Sequence, residues 1–195
     1  MGKIYVLMGK SSSGKDTIYR ALLNKIDLSL KKIIPYTTRP IRENEKEGRE
    51  YHFCDKAALN SLRQEGKVIE CRTYNTVHGE WDYFTVDDGQ VDLSKDDYLI
   101  IGTIEACRKL REYYGKEKIV PIYIEVEDGI RLERALIRER QQARPRYEEM
   151  CRRFIADSKD FSPEEIEKAE ITAIFENDDV AETVEKVADY IRSSR

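Results

Sequence analysis

The sequence predicts an α/β fold in which a parallel sheet is flanked by helices. Short apolar runs alternate along the chain with longer amphipathic stretches, which is typical of strand–helix–strand units. The first apolar run, residues 3–8, leads through a glycine-rich segment directly into a helical stretch at 15–25. This order of strand, loop and helix is the unit from which such sheets are built.

The remaining elements follow from the same alternation. Strands of the sheet are predicted at residues 3–8, 32–35, 98–102, 119–126 and 171–176. Helices are predicted at residues 15–25, 56–64, 104–114, 129–140, 146–159 and 180–193. The last helix is preceded by Asn177-Asp178-Asp179, which supplies a cap and favourable negative charge at a helix start.

Two segments interrupt the alternation. Residues 37–88 are rich in turn residues, charges and aromatics and lack a long apolar strand. Residues 131–153 contain eight arginines. We interpret both as insertions that sit on the sheet and do not build it, and insertions of this length are usually functional or disordered.

Charge and hydropathy limit the classes of partner. The chain has 34 basic and 38 acidic residues, a net charge of -4 and a mean hydropathy of -0.67. We expect a cytoplasmic protein, without a signal peptide or membrane helix, that binds neither nucleic acid nor membrane and exists as a monomer or homodimer. Small anionic ligands stay possible, because a pocket can be basic on an acidic protein.

The strongest functional signal directly follows the first strand and reads Gly9-Lys10-Ser11-Ser12-Ser13-Gly14-Lys15-Asp16-Thr17. The spacing Gly-x4-Gly-Lys between a strand and a helix is typical of a loop that binds nucleotide phosphates. Glycines let the backbone wrap around a phosphate, and the helix directs free N–H groups at it. Lys15 adds a charge that bridges the β- and γ-phosphates. We predict that residues 9–17 bind ATP, against the alternative of a simple glycine- and serine-rich turn.

The position after the lysine bears on a metal ion. It usually holds Ser or Thr, whose hydroxyl binds Mg²⁺, but here Asp16 stands there and Thr17 follows. Either Asp16 binds Mg²⁺ directly or through water, or Thr17 does so. In the alternative interpretation, Asp16 only stabilises the start of the helix.

Four further motifs are informative, and the first three of them concern a second substrate. They are Tyr36-Thr37-Thr38-Arg39-Pro40-Ile41-Arg42, Gly48-Arg49-Glu50-Tyr51-His52-Phe53, Ile69-Glu70 and Glu176-Asn177-Asp178-Asp179. In these motifs, which span nearly the whole chain, the sequence resembles the guanylate kinase family with its TTRxxR, GxxYxF, IE and NDD elements. The resemblance implies one domain over 1–195 with a P-loop NTPase-like parallel sheet. Its core would be 1–36, 86–128 and 154–195, with a GMP-binding insertion at 37–85 and a lid at 129–153.

The resemblance also implies roles for residues of the insertion. Arg39 and Arg42 would grip a monophosphate with Tyr51, since guanidinium groups make bidentate contacts with phosphates. Glu70 would accept hydrogen bonds from N1–H and the 2-amino group of guanine, an edge that adenine lacks. The alternative for these residues is a solvated charge run with weak surface ion pairs.

The segment 79–85 is similar to the family's GxxYGT/S element. By this resemblance Tyr83 contacts the acceptor phosphate and Thr85 the base, while Phe84 stands where the family has glycine. Trp81 is either part of this element or a core anchor of the insertion.

A clearer departure from the family lies at 98–105, where both aspartates of the family's D-x-D-x-Q-G segment are missing. Either Glu105 takes over part of the polar role of the missing aspartates, or the site binds an acceptor other than GMP.

The arginine-rich segment is predicted to supply positive charge for phosphoryl transfer. Arg134 and Arg138 are four residues apart and share one helix face. By resemblance they and Arg153 are lid arginines, which act with Lys15 on the transferred group; for each, a surface ion pair is the alternative. By resemblance Asn177 is expected to contact the adenine of ATP, and a role as a cap of the last helix is the alternative, which does not exclude that contact.

These assignments give an ATP:GMP phosphotransferase of purine metabolism that makes GDP and ADP with Mg²⁺. No general base is required, because the attacking oxygen already belongs to a phosphate anion. One alternative is a kinase of the ribose 1,5-bisphosphate type, to which the Gly-Lys-Asp tripeptide and the missing aspartates are similar. Another is a catalytically silent guanylate-kinase-like interaction module, although such modules lose the glycines and lysine that this chain keeps.

Overall fold

Two sheets and seven helices make up the described part of the chain, which in this computed structural model is residues 2–43, 45–76 and 79–195. The strands are β1 (Ile4–Met8), β2 (Lys31–Lys32), β3 (Tyr36–Thr37), β4 (His52–Phe53), β5 (Val68–Thr76), β6 (Gly79–Val86), β7 (Tyr98–Ile101), β8 (Ile119–Glu125) and β9 (Ile174–Glu176). The helices are α1 (Lys15–Leu23), α2 (Lys56–Gln64), α3 (Ile104–Tyr114), α4 (Asp128–Arg140), α5 (Tyr147–Asp160), α6 (Pro163–Lys168) and α7 (Val180–Ser193), with a 3₁₀ turn at Lys116–Lys118. Met1, Asn44, Val77 and His78, which fall in the predicted ranges 1–36 and 37–85, lie outside the described residues.

The main sheet has the order β2-β7-β1-β8-β9, and all its strand pairs are parallel. Strand β1 lies at its centre and is buried throughout, because helices cover both faces of a parallel sheet. Ile4, Val6 and Met8 pack into one core with α3. Tyr5 and Leu7 pack into the other with α1 and α7. The predicted α/β class with a parallel sheet flanked by helices is confirmed.

Several predicted boundaries were wrong. The strand predicted at 32–35 is β2 at Lys31–Lys32, and beyond it the Ile34 N–H donates to the Gln90 side chain in place of a strand. The last strand is only Ile174–Glu176. Helix α6 was not predicted, although Ser162 caps it and Pro163 stands in its first turn.

The segment 37–88 builds a sheet of its own, in the order β4-β3-β6-β5. The segment was predicted to lack a long apolar strand, and its two long strands, β5 and β6 of nine and eight residues, do mix polar with apolar residues. Their apolar residues alternate with polar ones because one face of the hairpin packs on α2 and the other does not. Phe84 and Val86 pack with Leu59 beneath this sheet. Phe84, and not the half-buried Trp81, is its core anchor.

None of the helices in the described part of the chain is long and apolar enough to span a membrane.

We predict that Phe84→Ala destabilises the protein by about 3–5 kcal/mol, because it opens a cavity in a small core. Phe84 is fully buried, and its ring lies 5.4 Å from that of Tyr36. The free energy of unfolding in urea measures the loss. Ile26→Ala is the matched control, since Ile26 is 91% exposed and should change stability by less than about 0.5 kcal/mol. Equal losses in the two variants would contradict this account of the core.

Candidate active site

The loop between β1 and α1 has the backbone of an anion site. Ser12 and Gly14 have φ angles of 65° and 83°, in the left-handed region. Gly14 is the N-cap of α1 and, within the described residues, supplies no side-chain cap to it. The Thr17 N–H donates to the Gly14 carbonyl oxygen, whereas the N–H groups of Lys15 and Asp16 before it can bind an anion, with the positive end of the helix dipole behind them.

The rest of the protein holds this loop by hydrogen bonds, mainly to its carbonyl groups. The Asn177 amide donates to the Ser13 carbonyl oxygen at 2.7 Å, and Arg131 Nη1 donates to that of Ser11 at 3.0 Å. The Ser11 N–H donates to the Asp157 carboxylate at 2.6 Å. Arg131 is only 1% exposed, and its Nη2 donates to Asp128 at 2.7 Å. Of the eight arginines in the segment 131–153, this one supports the loop and is not a mobile surface residue.

Asn177 is fully buried beneath the loop, and its Oδ1 has no hydrogen-bond partner among the described residues. The alternative that it caps the last helix was wrong, because the Asp179 carboxylate accepts the Glu182 N–H in that role. A Cβ atom on Gly14 would lie 2.5 Å from Asn177 Nδ2, so the pair fits only with glycine. Contact between Asn177 and a nucleotide stays a prediction.

At the start of α1, Lys15 is half-buried, and Asp16 and Thr17 are exposed. A carboxylate and a hydroxyl are oxygen ligands of the kind that Mg²⁺ prefers, and Mg²⁺ keeps most of its shell as water and substrate phosphate. In the described ranges there is no group of three or more His, Cys, Asp or Glu side chains placed to hold a metal. The donors present therefore suit a metal ion that arrives with a nucleotide.

The predicted phosphate-binding residues of the second substrate lie together, apart from Arg42. Arg39 is buried, and its guanidinium lies 5.1 Å from the centre of the Tyr51 ring. Its Nε donates to the Tyr83 hydroxyl at 3.1 Å. Arg42 is exposed and joins the cluster only through its N–H, which donates to Glu45 at 2.9 Å.

Sequence reasoning missed Glu45, which forms a bidentate ion pair with Arg39 at 2.6 and 2.7 Å. The Arg39 guanidinium holds the pKa of this carboxyl below its usual value of 4.5. A signal was available, because an acidic residue inside a basic segment offers the counter-charge that a buried arginine requires.

The predicted base-binding residues also lie together. Glu70 is 5% exposed, and its Oε1 accepts the Thr85 hydroxyl at 2.8 Å. Arg72, which sequence reasoning missed, donates from Nε to Glu70 Oε2 at 2.9 Å. Its Nη1 reaches the Thr103 hydroxyl at 3.4 Å. Thr103 lies in the segment where the two aspartates are missing, whereas Glu105 is exposed on α3.

The start of α1 and helix α5 both carry charges that act on tyrosines of the second sheet. Burial raises the pKa of Tyr51, and the negative charge of Asp16 at the start of α1 adds to that rise. Burial likewise raises the pKa of Tyr74, to which Asp160 on α5 contributes. The carboxylates of the loop side and the tyrosines of the second sheet are therefore close enough to affect one another.

The predicted lid arginines lie on α4 and α5. Arg134 is half-buried and Arg138 is exposed, one turn apart on α4. Arg153 is exposed on α5, with its Nε 3.5 Å from Glu149. Buried Glu139 holds the connection between the two helices by accepting the Arg146 N–H. Contacts of these arginines with phosphates stay a prediction.

The comparison with known families agrees with this geometry. The chain matches the family model described as guanylate kinase over residues 1–194. It belongs to the guanylate kinase family. The guanylate kinase of Malacoplasma penetrans is 41% identical over 69 residues, which is 35% of this chain and 35% of that relative. That of Nitrosospira multiformis is 28% identical over 169 residues, 83% of this chain and 73% of the relative.

A solved structure shares the fold. The crystal structure of guanylate kinase from Anaplasma phagocytophilum aligns with a TM-score of 0.69 at 23% sequence identity, covering 98% of this chain and 85% of that chain. The matched segment spans about a third of the Malacoplasma relative's length. Family membership and fold are thus established for this guanylate kinase family member.

We predict that Gly14→Ala raises the Kd for ATP at least about tenfold, measured by titration calorimetry. The new Cβ meets Asn177 and would displace the loop. Gly66→Ala is the matched control: Gly66 also has a positive φ, 70°, but a Cβ there meets nothing within 4 Å. The control carries the same backbone strain of about 1–2 kcal/mol and should bind ATP normally. Normal ATP binding by Gly14→Ala would contradict the role of this contact.

We also predict that Glu45→Gln lowers the free energy of unfolding by about 2 kcal/mol at pH 7. Because the folded-state pKa of Glu45 is depressed, its contribution is present above pH 4.5 and is lost as the pH falls through the folded value. Unfolding curves from about pH 7 to pH 3 should show the difference from wild type shrinking with acid. Glu43→Gln, at an exposed neighbour, should show neither effect; a constant difference for Glu45→Gln would disprove the linkage.

Proposed function

We propose that this protein transfers the γ-phosphoryl group of ATP to GMP, giving ADP and GDP. The observation that carries the proposal is that two sets of residues lie near each other. One set is suited to bind a base and the other to bind a phosphate. Glu70 with Thr85 forms the first, and Arg39 with Tyr83 the second. Both sets lie on or next to the second sheet. The negative charge of Asp16 helps to raise the pKa of Tyr51, which lies beside them.

Guanine suits the first set because it has two adjacent donors, N1–H and the 2-amino group. A buried carboxylate such as that of Glu70 accepts both, and the Thr85 hydroxyl holds its position from the side. Adenine has no such pair, so it would leave the carboxylate without its bonds. Sites built to hydrogen-bond a substrate can reject an analogue without those groups by about 10⁴-fold.

Arg39 suits the phosphate of GMP because its guanidinium is already placed between Tyr51 and Tyr83. The acceptor oxygen is anionic, so catalysis depends on position and positive charge and not on a general base. Lys15 at the start of α1 would act on the transferred group. Arg134, Arg138 and Arg153 would close over it from α4 and α5, which would also exclude water.

The reaction would use Mg²⁺, held by Asp16 or Thr17 together with the phosphates of ATP. The ion would neutralise charge on the β- and γ-phosphates. Both residues are exposed at the start of α1, where a nucleotide's phosphates would lie, and this supports the proposal.

We further propose that the enzyme acts on free nucleotides of purine metabolism in the cytoplasm, without nucleic acid or a membrane. The net charge of -4 supports small substrates over nucleic acid. The comparisons favour neither the ribose 1,5-bisphosphate kinase nor the silent module, since the family and the relatives reported are guanylate kinases.

We predict that an assay of ADP release with ATP and Mg²⁺ gives turnover with GMP, and not with AMP, CMP, UMP or ribose 1,5-bisphosphate. Glu70→Gln should lower kcat/KM for GMP roughly 10- to 100-fold, the effect of losing hydrogen bonds to a charged group. Glu65→Gln is the control, because Glu65 pairs with Lys67 on the surface. Turnover only with the sugar bisphosphate would overturn the proposal, and silence with every acceptor would favour the non-catalytic module.

A further inference from the structure

Arg72 contacts both carboxylate oxygens of Glu70, the residue proposed above to bind guanine. Its Nε and Nη2 donate to Glu70 Oε2 and Oε1 at 2.9 and 3.3 Å. The Glu70 side chain is only 2% exposed and that of Arg72 is 16% exposed. Glu70 Oε1 also accepts the Thr85 hydroxyl, so both carboxylate oxygens are engaged by the protein itself.

The two bonds from Arg72 have the pattern that guanine would offer. A guanidinium presents two parallel N–H donors that fit a carboxylate in bidentate fashion. The N1–H and 2-amino groups of guanine form a similar parallel pair. A carboxylate cannot accept both pairs on the same side, so the base and the Arg72 side chain compete for Glu70.

Arg72 has other partners that would remain if it left Glu70. Its Nη1 contacts the Thr103 hydroxyl at 3.4 Å. The Tyr74 side chain is also nearby, since burial raises the pKa of its hydroxyl and the Arg72 charge acts to lower it. A buried cation deprived of every partner would be costly, but these groups would keep the Arg72 guanidinium partly satisfied.

We propose that Arg72 fills the base subsite in the absence of acceptor and that the acceptor base displaces it from Glu70. The proposal rests on the proposed function, since it takes GMP as the acceptor. Its consequence is that part of the interaction of GMP with Glu70 is offset by loss of the Glu70–Arg72 ion pair. Arg72 therefore sets the affinity for the acceptor, and an acceptor without two adjacent donors leaves the pair intact.

The first test is calorimetric titration of the full chain with GMP and, separately, AMP, without ATP. Arg72→Lys keeps the positive charge but loses the parallel donors. We expect it to lower the Kd for GMP by about fivefold, a modest change on the scale of a charge-assisted hydrogen bond, and to leave AMP binding unchanged. Arg63→Lys is the matched control, because Arg63 lies beside β5 with its Nη2 3.1 Å from Cys71 Sγ, without a contact to Glu70. It should bind both nucleotides as the wild type does.

A second measurement follows the displacement directly in the wild-type chain. In the ¹⁵N spectrum of the wild-type chain, the Nε–H signal of Arg72 is assigned by its absence from Arg72→Lys. GMP should shift this signal and AMP should not. If wild type binds GMP but its Arg72 signal is unmoved, or if Arg72→Lys binds GMP equally or more weakly, the Arg72 proposal is overturned and the proposed function stands. If wild type does not bind GMP, both proposals fail.

Discussion

A loop that binds phosphate must leave some of its N–H groups unpaired and still hold one conformation. Here the loop between β1 and α1 is held mainly through its carbonyl groups, with the N–H groups of Ser11 and Ser13 as exceptions. Asn177 and Arg131 donate to the carbonyls of Ser13 and Ser11 from the protein side. The positive φ at Gly14 then directs the first turn of α1 outward. Because an unpaired buried arginine would be costly, Arg131 also requires Asp128, which fixes the start of α4 against the loop.

This support links the loop to the arginine-rich helices. Asp128 binds Lys10 of the loop as well as Arg131, and Asp157 on α5 accepts the Ser11 N–H. The base of the segment 129–153 is thus part of the loop's framework, while Arg138 further along α4 is exposed. A rigid base and an exposed outer part are what a closing lid would need, since only the outer part has to move.

A feature could be predicted from the sequence when neighbouring residues determine it, and was missed when it depends on residues that are distant in the sequence. The loop and its flanking elements were predicted because residues 9–17 contain all the features that determine them. The hairpin of β5 and β6 was missed because one of its faces carries polar residues such as Arg72 in place of apolar ones. The burial of Arg131 was missed because it depends on Phe154, which belongs to the next helix, α5. The Phe154 ring lies 4.7 Å from the Arg131 guanidinium. By sequence Arg131 is indistinguishable from Arg134 and Arg138, which differ from it only in what packs against them.

The ion pairs of buried arginines show how a chain of net charge -4 can hold positive charge locally. Surface pairs such as Lys186 with Glu182 are more than half exposed on both sides and so contribute little. The buried arginines Arg39 and Arg72 are different, because each has a glutamate as an internal counter-ion. These pairs avoid unpaired charge at low dielectric. Local pairing, which the overall composition does not report, therefore determines where this chain holds buried positive charge.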